Sequence, residues 1–152
     1  MTTTLPATTD KNLDTACAAV AGEIARTDGK ASLLLAFNGA VLAGLASIAG
    51  RDLPTITRVF GALAVLALGA AAVLLLLVVR PRLGGHDRAS FPYWARLTEA
   101  EIQACMDTDS RAARVRVLSG IAVAKFTQLR RAVDVTLLAL ALLGLAAAVL
   151  AA

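Results

Sequence analysis

Three stretches of this chain carry no charged residue: Ala31 to Gly50, Val59 to Val79 and Val135 to Ala152, of 20, 21 and 18 residues. A bilayer core about 30 Å thick is crossed by about 20 helical residues rising about 1.5 Å each. Each stretch therefore predicts a membrane-spanning helix. A buried helix of a large soluble protein has the same pattern. With 152 residues in all, however, too little chain remains to cover three of them.

The flanking segments show other periods. Leu13, Cys17, Val20 and Ile24 follow spacings of 4, 3 and 4, one apolar stripe of a helix over Asp10 to Thr27. Met1 to Thr9 is Thr-rich with Pro6 and reads as a loose tail. Pro54 sits in the turn between the first two spans, where a helix does not readily continue. The second span stops at Arg80-Pro81-Arg82, with Gly84-Gly85 beyond it as a breaker. Thr98 with Glu101 forms a capping-box pattern that opens a short helix to about Asp107. Asp109 or Ser110 can cap the last helix. Val115, Leu118, Ala122, Lys125, Leu129 and Ala132 then repeat at 3, 4, 3, 4 and 3, and no proline follows to the end. The final helix is thus expected to be a long stalk running into the third span. No strand signal and no internal repeat appears.

The expected architecture is an all-α integral membrane protein with three transmembrane helices plus cytoplasmic helices. Its divisions are 1–9 tail, 10–30 amphipathic helix, 31–50 first span, 51–58 external loop, 59–79 second span, 80–131 cytoplasmic helical region and 132–152 third span. Composition agrees: 58% of residues are hydrophobic and 17% charged, against about 45–50% and about 25% in ordinary soluble domains.

Net charge is +4. On a soluble protein that balance points to a nucleic-acid polymer; on a membrane protein its distribution matters more. Three of the 15 Lys and Arg precede the first span, two lie between the first and second, and ten lie between the second and third. The positive-inside rule places the N-terminus and the long middle segment in the cytoplasm, with the C-terminus outside. No nucleic-acid polymer is expected as partner. The ten cations either set topology and attract anionic headgroups or bind one phosphate, which suits Arg. A cleaved signal peptide is not expected, because Asp10, Asp14, Glu23 and Asp28 precede the first apolar run.

Enzyme chemistry and metal binding are not expected. His86 is the only histidine, and no phosphate-cradling glycine loop or nucleophile motif is present. Cys17 and Cys105 fall in segments assigned to the reducing cytoplasm, where a disulfide is not expected. The three runs hold no ionisable group, which disfavours a transporter. Asn38 is their most polar residue, suited to helix packing or to lining a pore. Ala36, Ala40 and Gly44, and Gly144, Ala148 and Ala152, place small residues at four-residue spacing, suited to association within one chain or between chains. Phe91, Pro92, Tyr93 and Trp94 suit either membrane-interface anchors or packing against cytoplasmic helices.

The stretch Asp28-Gly-Lys30-Ala-Ser-Leu-Leu-Leu-Ala-Phe-Asn38 resembles the signature Asp-x-Lys-Ala-x-x-Leu-Leu of the Pycsar transmembrane effector family, a bacterial anti-phage group. Lys125-Phe-Thr-Gln-Leu-Arg130 is similar to that family's Lys-aromatic-x-x-Leu-Arg run before the last span. The resemblance extends from about Asp10 onward. It implies a membrane effector that responds to cyclic UMP or cyclic CMP made by a partner cyclase, and that impairs the inner membrane to cause abortive infection. No cofactor is implied beyond that activating nucleotide. The matching polar positions are Asp28, Lys30, Asn38, Lys125 and Arg130, which the resemblance marks for ligand binding or signalling. Partners would be the bilayer, the nucleotide and further copies of the chain. The competing expectation is a structural or assembly protein of plasmid transfer or the cell envelope.

Overall fold

A computed structural model of the chain describes residues 7–80 and 90–151. The loose tail through Pro6, Pro81 and Arg82, the Gly84-Gly85 breaker, His86 and Ala152 lie outside the described residues. Five helices follow in order: α1 (Ala7–Ile48), α2 (Thr55–Val79), α3 (Phe91–Trp94), α4 (Glu99–Met106) and α5 (Arg111–Ala151). Among the described residues there is no strand. The helices α1, α2 and α5 are long and apolar enough to cross a membrane.

Helix α1 is unbroken. The sequence reading separated an amphipathic helix from the first span around Asp28-Gly29-Lys30, yet the backbone hydrogen bonds continue through Gly29. One glycine weakens a helix by about 1 kcal/mol, too little to interrupt 42 residues. Helix α5 likewise runs uninterrupted into the third apolar stretch, as its lack of proline predicts.

The chain divides into two compact units. The first comprises Met1–Arg26 and Pro81–Ala124. Within it, Thr98 caps α4: its Oγ1 accepts from the Glu101 N–H at 3.4 Å, while a Glu101 carboxylate oxygen accepts from the Thr98 N–H at 2.8 Å. The capping box is the one expected from the sequence. The backbone donation from Thr98, supported by its hydroxyl, holds the Glu101 carboxyl below its ordinary value. Helix α5 opens on Asp109, whose Oδ1 accepts from the Arg111 N–H at 3.0 Å. Arg111 reaches further, donating to the carboxylates of Asp14, at 2.9 Å, and Asp10. The Arg114 guanidinium lies 5.8 Å from the Trp94 ring centre. Of the two roles open to the aromatic cluster, Trp94 thus adopts packing against a neighbouring helix.

The second unit comprises Thr27–Arg80 and Lys125–Ala152. Its buried positions keep a 3-4 spacing on each helix: Ala64, Leu68, Ala71, Leu75 and Val78 on α2, and Lys125, Leu129, Ala132, Thr136 and Ala139 on α5. A 3.5-residue period keeps one stripe of a helix against its neighbours in left-handed, coiled-coil-like packing. Thr27, Ala31 and Asn38 are the buried positions of α1. Ala31, Leu75, Val78, Leu129 and Ala132 form the central cluster. Alanine recurs in these stripes because, in lipid, packed surface rather than expulsion of water holds helices together, and small side chains let backbones approach.

The other faces carry large apolar side chains. Leu33 is 75% exposed and Leu66 70%. In water such surfaces would aggregate; against acyl chains they cost nothing. Three apolar helices bearing such faces make this a multi-pass membrane protein. Ala36, Ala40, Gly44, Gly144 and Ala148 also lie exposed, and a Cβ on Gly44 or Gly144 would meet nothing within 4 Å. These small residues therefore do not join the spans of one chain to each other.

The two faces give opposite mutational responses. Ala71→Leu, in the filled stripe, should cost about 1–3 kcal/mol through overpacking. Leu66→Ala, on the lipid face, should change stability by less than about 0.5 kcal/mol. Thermal unfolding of the full chain in bilayer nanodiscs checks both, and equal effects would contradict this assignment of faces.

Candidate functional site

The candidate residues on α1 and α5 of the second unit fall into two contacts and two exposed cations. Asp28 and Lys125 meet. The Lys125 Nζ donates to Asp28 Oδ1 at 2.5 Å, with the lysine side chain 11% exposed and the aspartate 35%. Lys125 occupies a stripe position that would otherwise take a leucine or alanine. A buried ammonium with no partner would be strongly disfavoured there, and Asp28 supplies the compensating charge.

Ten residues along α1 and eleven along α5, the second contact joins Asn38 to Thr136. Asn38 is fully buried and its Nδ2 donates to Thr136 Oγ1 at 3.3 Å. Thr136 in turn donates to the Ala132 carbonyl at 2.9 Å. The order of the pairs, 28 with 125 and 38 with 136, means that α1 and α5 run in the same direction. At about 1.5 Å per residue, the contacts stand about 15 Å apart along the helices.

Lys30 and Arg130 are exposed and make no ion pair among the described residues. The structure therefore joins Asp28 to Lys125 and gives Asn38 a partner the sequence did not assign, while Lys30 and Arg130 enter neither contact. The pairing of Thr136 across 98 positions leaves no local signal in the sequence. The buried threonines Thr27 and Thr57 were also missed, because a lone threonine beside an apolar run carries no signal of its own.

Hydrogen bonding in this unit is incomplete. The buried Oδ1 of Asn38 and Oγ1 of Thr57 have no partner. An orphaned buried acceptor carries a desolvation penalty of about 1–3 kcal/mol, whereas a side-chain hydrogen bond between membrane helices averages about 0.6 kcal/mol. Asn38 therefore does not earn its place through stability.

A second concave surface lies in the first unit. It has a volume of about 780 Å³ and includes Tyr93, Trp94, Asp107, Asp109, Arg111 and Arg114. Its aromatic floor suits a flat ring, but its charge does not suit an anion. Arg111 is already surrounded by Asp10, Asp14 and Asp109, and Asp107 adds another carboxylate. Donation from the Arg111 side chain, then from its backbone, holds Asp109 below its ordinary value, so that carboxylate stays ionised. The exposed candidate cations Lys30 and Arg130 belong to the second unit. No group of three His, Cys, Asp or Glu that could hold a metal occurs among the described residues.

Replacing Asn38 tests its energetic role. Asn38→Leu removes one weak hydrogen bond and one orphaned acceptor, and Thr136 keeps its bond to Ala132. The variant should be as stable as the parent or more so, within about 1 kcal/mol, by thermal unfolding in nanodiscs. A loss of several kcal/mol would mean that Asn38 is a structural keystone.

No curated relative and no solved structure matches the chain. The family described as the Pycsar effector protein domain matches residues 12–152, a range that takes in α2 to α5 and all but the start of α1, with both polar contacts. The chain thus belongs to the Pycsar effector protein domain family, and is a membrane effector of anti-phage defence.

Proposed function

We propose that a cyclic pyrimidine mononucleotide, cyclic UMP or cyclic CMP, made by a partner cyclase, activates this effector, and that the activated protein impairs the inner membrane to cause abortive infection. The family match over residues 12–152 carries this reading. Chemistry in the second unit supports it. Lys30 and Arg130 are exposed cations, each within six residues of a member of the Asp28–Lys125 pair. A cyclic phosphate has one negative charge and suits such groups. A ligand acts only through unequal affinity for two states. In this proposal the ligand's phosphate engages Lys30 and Arg130 and competes with Asp28 for Lys125, and Asn38 and Thr136 exchange partners as α1 and α5 shift.

The proposed orientation puts the N-terminus and residues 80–131 in the cytoplasm, where the nucleotide is made, and the C-terminus outside. It rests on the distribution of basic residues. The exposed small residues Ala36, Ala40, Gly44, Gly144 and Ala148 support assembly of several copies, because no helix among the described residues covers them. A structural or assembly protein is the second reading, and the orphaned Asn38 acceptor weighs against it. A scaffold that used Asn38 only to set register would be better served by a fully bonded polar group.

The test is infection of cells that express the full chain with its cyclase. Membrane depolarisation and protection are expected with the parent chain, and should be lost in Lys30→Ala and Arg130→Ala while the protein remains in the membrane. Phosphatase fused into the 51–54 loop should be active, and at 107–110 inactive. Protection without depolarisation, or no binding of either cyclic nucleotide by the purified chain, would overturn the reading.

A further inference from the structure

At the end of the second unit where α1 gives way to α2 there is an apolar slot of about 510 Å³, within the roughly 300–1,000 Å³ range of ligand pockets. Leu45, Ile48, Leu53, Val65, Leu143 and Leu150 are among its walls. Gly61 lies in its lining, where a Cβ would meet nothing within 4 Å, so the space there is open. The lining has two polar members, Thr57 and Arg58.

Neither side chain has a partner among the described residues. Thr57 is 6% exposed, and its Oγ1 has no hydrogen-bond partner. Arg58 is exposed and makes no ion pair among the described residues. They sit in the first turn of a 25-residue helix whose N-cap position is Pro54, with no side-chain cap hydrogen bond. That end carries the positive pole of the helix and presents unpaired N–H groups, which favour an anion.

The slot thus joins an acyl-sized apolar volume to a guanidinium, an uncapped helix start and a buried hydroxyl without a partner. We infer that it binds an anionic diacyl phospholipid, one acyl chain lying in the slot and the phosphate on Arg58 and the first turn of α2. The Thr57 hydroxyl is placed to donate to an ester or phosphate oxygen of the lipid. Arginine suits this role because it is weakly hydrated and its planar fork engages two oxygens at once. Free phosphate would use only the polar half of the site and leave the apolar slot unfilled. This site does not depend on the nucleotide reading.

The experiment uses the full chain in detergent, stripped of lipid. It is titrated with phosphatidylglycerol or phosphatidylcholine of identical acyl chains, and bound lipid is counted by native mass spectrometry. The parent chain should retain phosphatidylglycerol roughly tenfold more tightly, and inorganic phosphate should not compete. Arg58→Gln, an exposed change that leaves the core intact, should lose most of that preference. Ala62→Phe, which projects a ring into the slot, should lose both lipids while keeping its helical circular dichroism. Equal retention of the two lipids by the parent chain, displacement by inorganic phosphate, or an unchanged preference in Arg58→Gln would overturn the inference. If Ala62→Phe fails to fold, the parent and Arg58→Gln comparisons decide it alone.

Discussion

A lysine in an apolar helix stripe must find an anion, and in this protein that requirement ties α1 to α5. Lys125 occupies a position whose neighbours along the stripe are Ala122 and Leu129, and its ammonium is paired with Asp28. In water, sliding one apolar stripe past another would expose hydrophobic surface and be penalised. In a bilayer the penalty largely disappears, because acyl chains solvate leucine as well as another helix does. Register therefore has to come from close packing and from polar groups with few alternative partners. Asp28 with Lys125 and Asn38 with Thr136 are two such marks, and they fix both the direction and the offset of α1 against α5.

The same two contacts differ in what they do for stability. The charge pair compensates a cost that either residue alone would impose, so each holds the other in place. The Asn38 contact is weaker and leaves an acceptor unsatisfied. In the proposed activation that acceptor can gain a partner when α1 and α5 shift. The Lys125 side chain is 11% exposed and that of Asp28 35%, so in the proposed activation a phosphate reaches Lys125 by displacing Asp28. A few kcal/mol of differential affinity is enough to invert a two-state population, which is within the range of charge-assisted bonds to one phosphate.

Much of this was legible from residue order. Three charge-free runs of bilayer length are a strong signal, and they became α1, α2 and α5. The 3-4 repeat from Val115 to Ala132 foretold the long last helix and put Lys125 on its buried stripe. Thr98 with Glu101 announced α4 because a capping box is local, its partners three residues apart. The continuity of α1 was not legible: Asp-Gly-Lys looks like a boundary, and only summed helix propensity and packing on both sides override it. Partner choice across 97 or 98 positions was beyond reach for a physical reason. Two charges of opposite sign can be read anywhere in a sequence, but which two meet depends on how stripes nest. The slot beside Arg58 was hidden likewise, since its walls come from three helices.

Reversing the charges measures the central interaction most directly. Asp28→Lys and Lys125→Asp, singly and together, are compared by thermal unfolding of the full chain in nanodiscs. The account predicts that each single reversal places like charges together and lowers the melting temperature, and that the double reversal recovers most of the loss. A double variant no more stable than the sum of the two single losses would show that Asp28 and Lys125 do not hold α1 to α5.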